Sequence, residues 1–232
     1  MESERASLSS NTSIRLYEKG DRAAVFRIGA DTSFFGEPLE IYMDDRQLFC
    51  DIFYSYYTDL EPEHCWVACA QKEVVGFLTG CVNTATQRRL WARKILPVIT
   101  GRILRGDYRI GRKTLRYTWK VVLSAMRSEF THVNVALYPA HLHINLAVDW
   151  RGRGLGRGLM EAYLEQLRQL GVPGVYLDTS SENATACILY EKMGFRILDS
   201  RQSQMWKGII SKPLYNLCYG LRLIQGDNAT RR

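Results

Sequence analysis

A chain of 232 residues with 46% hydrophobic and 24% charged residues has the composition of a globular protein, long enough for one domain with an insertion. No apolar run approaches the ~18 residues that a membrane span needs, and the polar start MESERASLSSNTS lacks the apolar stretch of a secretory signal, so reduced thiols and a cytoplasmic location are expected. The net charge of +7 is unevenly spread: between Asn83 and Phe130 twelve Lys/Arg meet only Asp107 and Glu129, which leaves the rest of the chain mildly acidic.

In chain order, residues 1–11 read as a disordered tail and TSIRLYEKG as a first strand. Asp21 stands where it can cap the helix DRAAVFRIGA. The aromatic-rich stretch that follows is helical from about Tyr42 to Tyr57. CWVACA and VVGFLTGCV, joined by a short polar link, suit an antiparallel hairpin. The six cysteines show no CxxC spacing, and Cys65 and Cys69 read as same-face neighbours in a strand, so no metal site is expected. The basic stretch from 83 to 130 reads as a helical insertion in which Pro97 kinks the first piece. In its second piece Leu115, Trp119, Val122 and Met126 recur at steps of three and four.

Regular alternation then resumes. HLHINLAV is a strand, GLGRGLMEAYLEQLRQLG a helix ending at Gly171, and GVYLDT a strand. ENATACILYEKMG is a short helix ending at Gly194, FRILDS a further strand and SQMWKGI a candidate last one. The pattern predicts a single α/β (α+β) domain over residues 12–212 with at least one βαβ unit, followed by a C-terminal extension over 213–232.

The chemistry concentrates in DWRGRGLGRGLM. A strand runs through a glycine-rich turn straight into a helix, whose first N–H groups are unpaired and whose dipole is positive there. The glycines permit close backbone approach, and Arg151, Arg153 and Arg157 add positive charge, so a pyrophosphate is the obvious ligand; a plain tight turn beside solvated arginines is the other reading. Neither G-x-G-x-x-G nor the P-loop triplet fits, because Arg157 and Leu159 stand where glycines would be needed. Arg151-Gly152-Arg153-Gly154-Leu155-Gly156 instead satisfies R/Q-x-x-G-x-G/A. Downstream, Asn183, Ala186, Tyr190, Gly194 and Phe195 satisfy N-x-x-A-x-x-x-Y-x-x-x-G-F.

These two blocks resemble the GCN5-related N-acetyltransferase (GNAT) superfamily. The stretches YPAHLHINL, SFFGEP and QLFCDIFYSYYTDLEPE resemble more closely the acetyltransferase-like domain of O-GlcNAc hydrolases and its bacterial stand-alone relatives. The resemblance implies a mixed, mostly antiparallel sheet flanked by helices, splayed between its two central strands. It implies acetyl-CoA as the acetyl donor, with no metal. The backbone of Leu146, Ala147 and Val148 would meet the pantetheine arm, the N–H groups from Arg151 to Arg157 the pyrophosphate, and Asn183 the CoA side. Tyr190 falls where a hydroxyl protonates the departing thiolate; the other reading is a core aromatic.

The family's usual glutamate base is replaced by Ile144. His141, His143 and Asn145 share one face of that strand, and His143 is the candidate base because an imidazole titrates near neutrality. Water leading to Asp44, Asp45 or Asp59 is an alternative. Phe34, Phe35, Tyr54, Tyr57, Asp59 and Glu61 are candidates to line the acceptor cleft, where acids would draw an amine. The expected function is acetyl transfer to an amine of a small molecule or protein. The alternative is a non-catalytic acetyl-CoA-sensing or partner-binding module. The basic insertion could contact nucleic acid or an anionic lipid surface, or be a solvated flap, and the chain could be a monomer or a homodimer.

Overall fold

The structure, a computed structural model, describes residues 12–224; the expected tail over 1–11 and the last residues of the expected extension lie outside them. Seven strands, β1 (Thr12–Leu16), β2 (Cys65–Ala70), β3 (Glu73–Cys81), β4 (Ala140–Leu146), β5 (Gly174–Ser180), β6 (Arg196–Ser203) and β7 (Leu214–Arg222), form one sheet in the order β1-β2-β3-β4-β5-β7-β6. Every neighbouring pair is antiparallel except β4 and β5. The Gln71-Lys72 turn of the β2–β3 hairpin places both residues at positive φ, the twist that a two-residue hairpin favours.

Period-two alternation puts two cores on opposite faces of the sheet. Val67, Cys69, Phe77 and Cys81 face one core, with α1 (Arg22–Asp31), α2 (Arg46–Phe53) and α3 (Ser55–Leu60). Ala68, Leu78, Leu142 and Val175 face the other, with α7 (Leu155–Gln169) and α8 (Ala184–Lys192). On α7 the buried Leu155, Leu159, Met160, Tyr163, Leu164 and Leu167 form the stripe expected of a helix lying on a sheet.

Three local expectations change. Asp21 begins α1 without capping it; its carboxylate instead takes both ends of Arg15, at 2.7 and 2.8 Å, and the Glu18 N–H. The helical stretch after Tyr42 starts at Arg46, because Asp45 accepts from Leu48 N–H at 2.7 Å, and breaks at Tyr54. SQMWKGI does not form the last strand. Leu214–Arg222, in the segment expected as an extension, supplies it and lies inside the sheet, hydrogen-bonded to β5 on one side and β6 on the other.

The basic stretch folds as α4 (Thr84–Leu90), a π turn over Trp91–Ile95, α5 (Leu96–Arg105) and α6 (Arg112–Met126). Pro97 lacks the N–H that a regular helix would offer to Arg93, so the turn before it widens. The insertion is tied to the body by carboxylates. Buried Asp51 accepts from Gln47, Ser55, Arg102 and Tyr108, the last two at 2.6 Å. Asp44 accepts from the Thr114 N–H and hydroxyl, and Asp45 from Arg109 N–H. Buried Glu129 holds Ser124 and the Gln204 N–H. Asp51→Ala would leave buried Tyr108 without its acceptor and half-buried Arg102 with only the more distant Asp107. It should lower unfolding free energy by about 2–3 kcal/mol in urea melts, whereas an exposed pair such as Arg168–Glu165 should cost about 0.5 kcal/mol or less.

Candidate active site

The site begins where the sheet parts. β4 and β5 pair only through Ala140 with Val175 and His141 with Tyr176. Beyond that, β4 stays on β3 through six pairs while β5 stays on β7 through seven. The bond from Ala147 N–H to Val75 C=O (2.9 Å) fixes the β3–β4 ladder. By alternation, Asn145 and His143 also bond β3, and the backbone groups of Ile144 and Leu146 point into the gap. Ala147 N–H is therefore consumed by the sheet, and Leu146 is the residue of that pair left to meet a ligand. Val148 opens a 3-10 turn, Val148–Trp150.

The loop follows at the end of the gap. Gly152 and Gly154 adopt φ of 73° and 83°, and nothing lies within 4 Å of where a Cβ would stand at either. They are required for backbone conformation, not for space. Gly158 is the reverse case: a Cβ there would stand 2.5 Å from Ile14 Cδ1, so it serves the packing of α7 on β1. The first helical bond runs from Gly158 N–H to Gly154 C=O, which leaves the N–H groups of Leu155, Gly156 and Arg157 without intrahelical acceptors. Buried Leu155 offers a ligand its backbone alone.

The arginines are largely occupied. Arg153 lies 4.6 Å over the Trp150 ring and Arg157 pairs with Glu161 at 2.7 Å. Arg151 turns back to the Leu146 and Gly36 carbonyls, both at 3.3 Å, and so clasps the loop to the turn after α1. What the loop presents to an anion is therefore chiefly backbone N–H groups and the helix dipole.

α8 closes the other side. Leu189 packs toward Gly156, and Asn183, the residue before α8, donates its side-chain amide to Thr179 Oγ1 on β5 at 3.1 Å. Tyr190 is 5% exposed, its ring 6.2 Å from Phe195 and 5.7 Å from Tyr219. Burial, then the Cys187 thiol, pushes its phenol well above the ordinary value, and no hydrogen bond to its hydroxyl contributes.

His141, His143 and Asn145 share the opposite face of β4 and meet α1 and α3. His141 Nδ1 lies 2.7 Å from Thr84 Oγ1, whose hydroxyl is donated to Pro139 C=O at 2.8 Å, so Nδ1 carries the proton and Nε2 accepts. Tyr57 Oη, 2.6 Å from that Nε2, donates to it. His143 Nε2, 3.2 Å from the same oxygen, must then donate in turn, and its lone pair resides on Nδ1. The result is an ordered relay, His143 to Tyr57 to His141 to Thr84. Burial holds both imidazoles neutral, lowering His143 to about 4 and His141 to about 3. The neutral-range titration expected of His143 is therefore removed by desolvation. Asn145 donates to Thr32 Oγ1 at 2.7 Å.

The acids expected to draw or deprotonate an amine are engaged elsewhere. Arg22 clamps Asp59 at 2.9 and 3.1 Å, and Glu61 accepts the Tyr56 hydroxyl and Val82 N–H. Asp44 and Asp45 anchor the insertion. Tyr54 is buried in the core against Phe77. Phe34 and Phe35 gather around Trp206, at 4.9 and 5.7 Å, together with Tyr42 and Tyr117. Beside them opens a cleft lined by Ile41, Tyr42, Lys113, Arg116, Tyr117, Lys120, Trp206 and Ile209. The sequence offered no signal for Trp206, which stands in a loop between β6 and β7. Among the described residues no group of three or more His, Cys, Asp or Glu is placed to hold a metal.

Known proteins converge on this arrangement. The Acetyltransferase (GNAT) family profile matches residues 130–195, from before β4 through the loop to the end of the second block. The crystal structure of SsHAT superposes with a TM-score of 0.72 at 30% identity, covering 93% of this chain and all of that one. The [ribosomal protein bS18]-alanine N-acetyltransferase of Escherichia coli K12 is 40% identical over 68 residues, which are 28% of this chain and 45% of that enzyme. The mycothiol acetyltransferase of Nocardiopsis dassonvillei is 44% identical over 52 residues, 22% of this chain and 16% of the relative, so the chain spans less than half the length of either relative. With the parted strands, the glycine loop and a full-length likeness in place, the chain belongs to the GNAT acetyltransferase family.

Proposed function

We propose that this protein transfers the acetyl group of acetyl-CoA to a primary amine that carries an anionic group. The observation that supports the donor is the gap between β4 and β5, with the backbone groups of Ile144 and the Leu146 N–H facing it along one wall and unpaired helix N–H groups at its end. Ile144 and Leu146 would hold the pantetheine amides in strand-like bonds, and residues 152–157 would hold the pyrophosphate. Bound there, acetyl-CoA supplies an activated thioester carbonyl.

Two proton positions complete the chemistry. Tyr190 keeps its proton at neutral pH and has no competing acceptor, so it can deliver that proton to the departing thiolate. The same dry surroundings raise the basicity of the thiolate and keep the transfer balanced. His143 offers Nδ1 as the receiving lone pair. The ammonium formed as an amine adds to the thioester is a far stronger acid than the free amine, so an imidazole of lowered basicity can accept from it. The Tyr57–His141 relay would spread the resulting charge.

The acceptor's anionic group follows from the cleft. Lys113, Arg116 and Lys120 line it without a carboxylate among the lining residues, beside the aromatic wall of Tyr42, Tyr117 and Trp206. Burial and the nearby Arg116 charge lower the Lys120 pKa, as cations facing each other without an anion should. An amine bearing a carboxylate or phosphate would relieve that repulsion.

Calorimetry with acetyl-CoA and thiol release across a panel of amines test the reading together. Gly154→Val forces a branched residue into left-handed backbone and should weaken acetyl-CoA binding at least tenfold without unfolding the chain. Tyr190→Phe should bind normally and lose about a hundredfold in kcat. Binding with no turnover, unchanged by Tyr190→Phe, would instead mark a sensor. Arg116→Gln should raise KM about tenfold for an anionic amine, leaving KM for an uncharged amine and acetyl-CoA affinity unchanged.

The buried histidines set the pH response. Their folded pKa values lie below the unfolded value of 6.5, so their stability contribution is complete above pH 6.5 and is lost as pH falls toward 4. At pH 5 each should cost about 2 kcal/mol relative to pH 7. Urea melts at the two pH values should show the loss, and His143→Asn should remove about half of it.

A further inference from the structure

The apolar stripe of α6 faces outward. Leu115, Trp119, Val122 and Met126 follow steps of four, three and four, so they lie along one face over about 16 Å. All four are exposed, Trp119 at 62% and Met126 at 77%. The opposite face, with Thr114, Tyr117 and Ser124, holds the helix to the body through Asp44, the aromatic cluster and Glu129. A single exposed apolar side chain is ordinary, but four in register on one helix mark a contact surface.

Its charge says what kind of contact. Arg112, Arg116, Lys120 and Arg127 succeed one another around one shoulder of the stripe. Of the two acids of the insertion, Asp107 is held between Arg102 and Arg105 and buried Glu129 lies 3.7 Å from Arg127, so among the described residues Arg112, Arg116 and Lys120 are left without a carboxylate partner. α5 adds exposed Val98 and Leu104. Among the described residues no helix is long and apolar enough to cross a membrane.

We propose that the insertion docks the protein onto an anionic lipid surface, with the α6 stripe at the boundary between headgroups and acyl chains and the flanking cations on the headgroup phosphates. The match is twofold: apolar side chains need a medium less polar than water, and an unneutralised basic shoulder needs anions beside that medium. Nucleic acid satisfies the second need and leaves Leu115, Val122 and Met126 in water. Arg116 and Lys120 also line the cleft proposed for the acceptor, and vesicle binding is read with neither acceptor nor turnover.

Flotation of the full chain with neutral phosphatidylcholine vesicles, and with vesicles containing about a third phosphatidylglycerol, tests it. Binding should require the anionic lipid and fall at least tenfold between low and high salt. Trp119→Asp/Met126→Asp should lose at least tenfold in partitioning while thiol release and melting temperature hold. Should that variant fold poorly, brominated lipid provides the second reading: it should quench the tryptophan fluorescence of the native chain, and Trp119→Phe should remove most of the quenching. No flotation with anionic vesicles at low salt overturns the proposal. So does quenching that Trp119→Phe leaves unchanged, tighter binding to RNA that ignores the double aspartate variant, or a concentration-dependent dimer abolished by it.

Discussion

The parting of β4 from β5 is the constraint on which the rest of the molecule depends. Two parallel strands that began to pair at Ala140 and His141 are each held more strongly by an antiparallel neighbour, β3 on one side and β7 on the other. The sheet therefore opens instead of closing, and backbone groups of Ile144 and Leu146 are left facing a gap. The Leu146 carbonyl takes the Arg151 guanidinium, and the groups that remain are free to pair with a ligand. The glycine turn and the bare start of α7 stand at the end of the same gap, so the demand for hydrogen bonds and the supply of positive dipole lie along one line.

Electrostatics around that gap is set by withdrawal. Asp21, Asp44, Asp45, Asp51, Asp59 and Glu61 are each committed to an arginine, a hydroxyl or a backbone N–H, and several of these bonds attach the insertion or order the first helices. What remains on the face of β4 toward α1 and α3 is a pair of desolvated, neutral imidazoles joined through Tyr57, and beside the aromatic cluster a cleft lined by cations and aromatic rings. A carboxylate base would draw the amine by charge; this chain has hydrogen-bond order and an aromatic wall instead.

The insertion has two faces with different duties. Its polar and aromatic side packs on α2 and the loop between β6 and β7, and through Tyr117 and Trp206 it adjoins the cleft lined by Lys113, Arg116 and Lys120. Its apolar side turns to solvent. Helical periodicity alone reports that an apolar stripe exists; the neighbours of Thr114 and Ser124 decide that it points away from the core.

Much of the architecture could be read from residue patterns: the β2–β3 hairpin, the strand–glycine turn–helix unit, the helix and strand of the second block, and the helical insertion. Those features are local, because alternation, glycine placement and helix spacing act within a few residues. By itself the sequence determined the family and singled out the glycine loop and Tyr190 as candidates. Only the tertiary structure decided that Leu214–Arg222 lies inside the sheet, since its partners on β5 and β6 are remote in the chain. It also decided that Asp44, Asp45, Asp59 and Glu61 are structural, that Arg151 grips Gly36, and that His143 loses its neutral-range titration. The physical reason is common to all of these. A charged or titratable side chain takes its role from what is packed against it, and burial and distant partners leave no mark in local spacing.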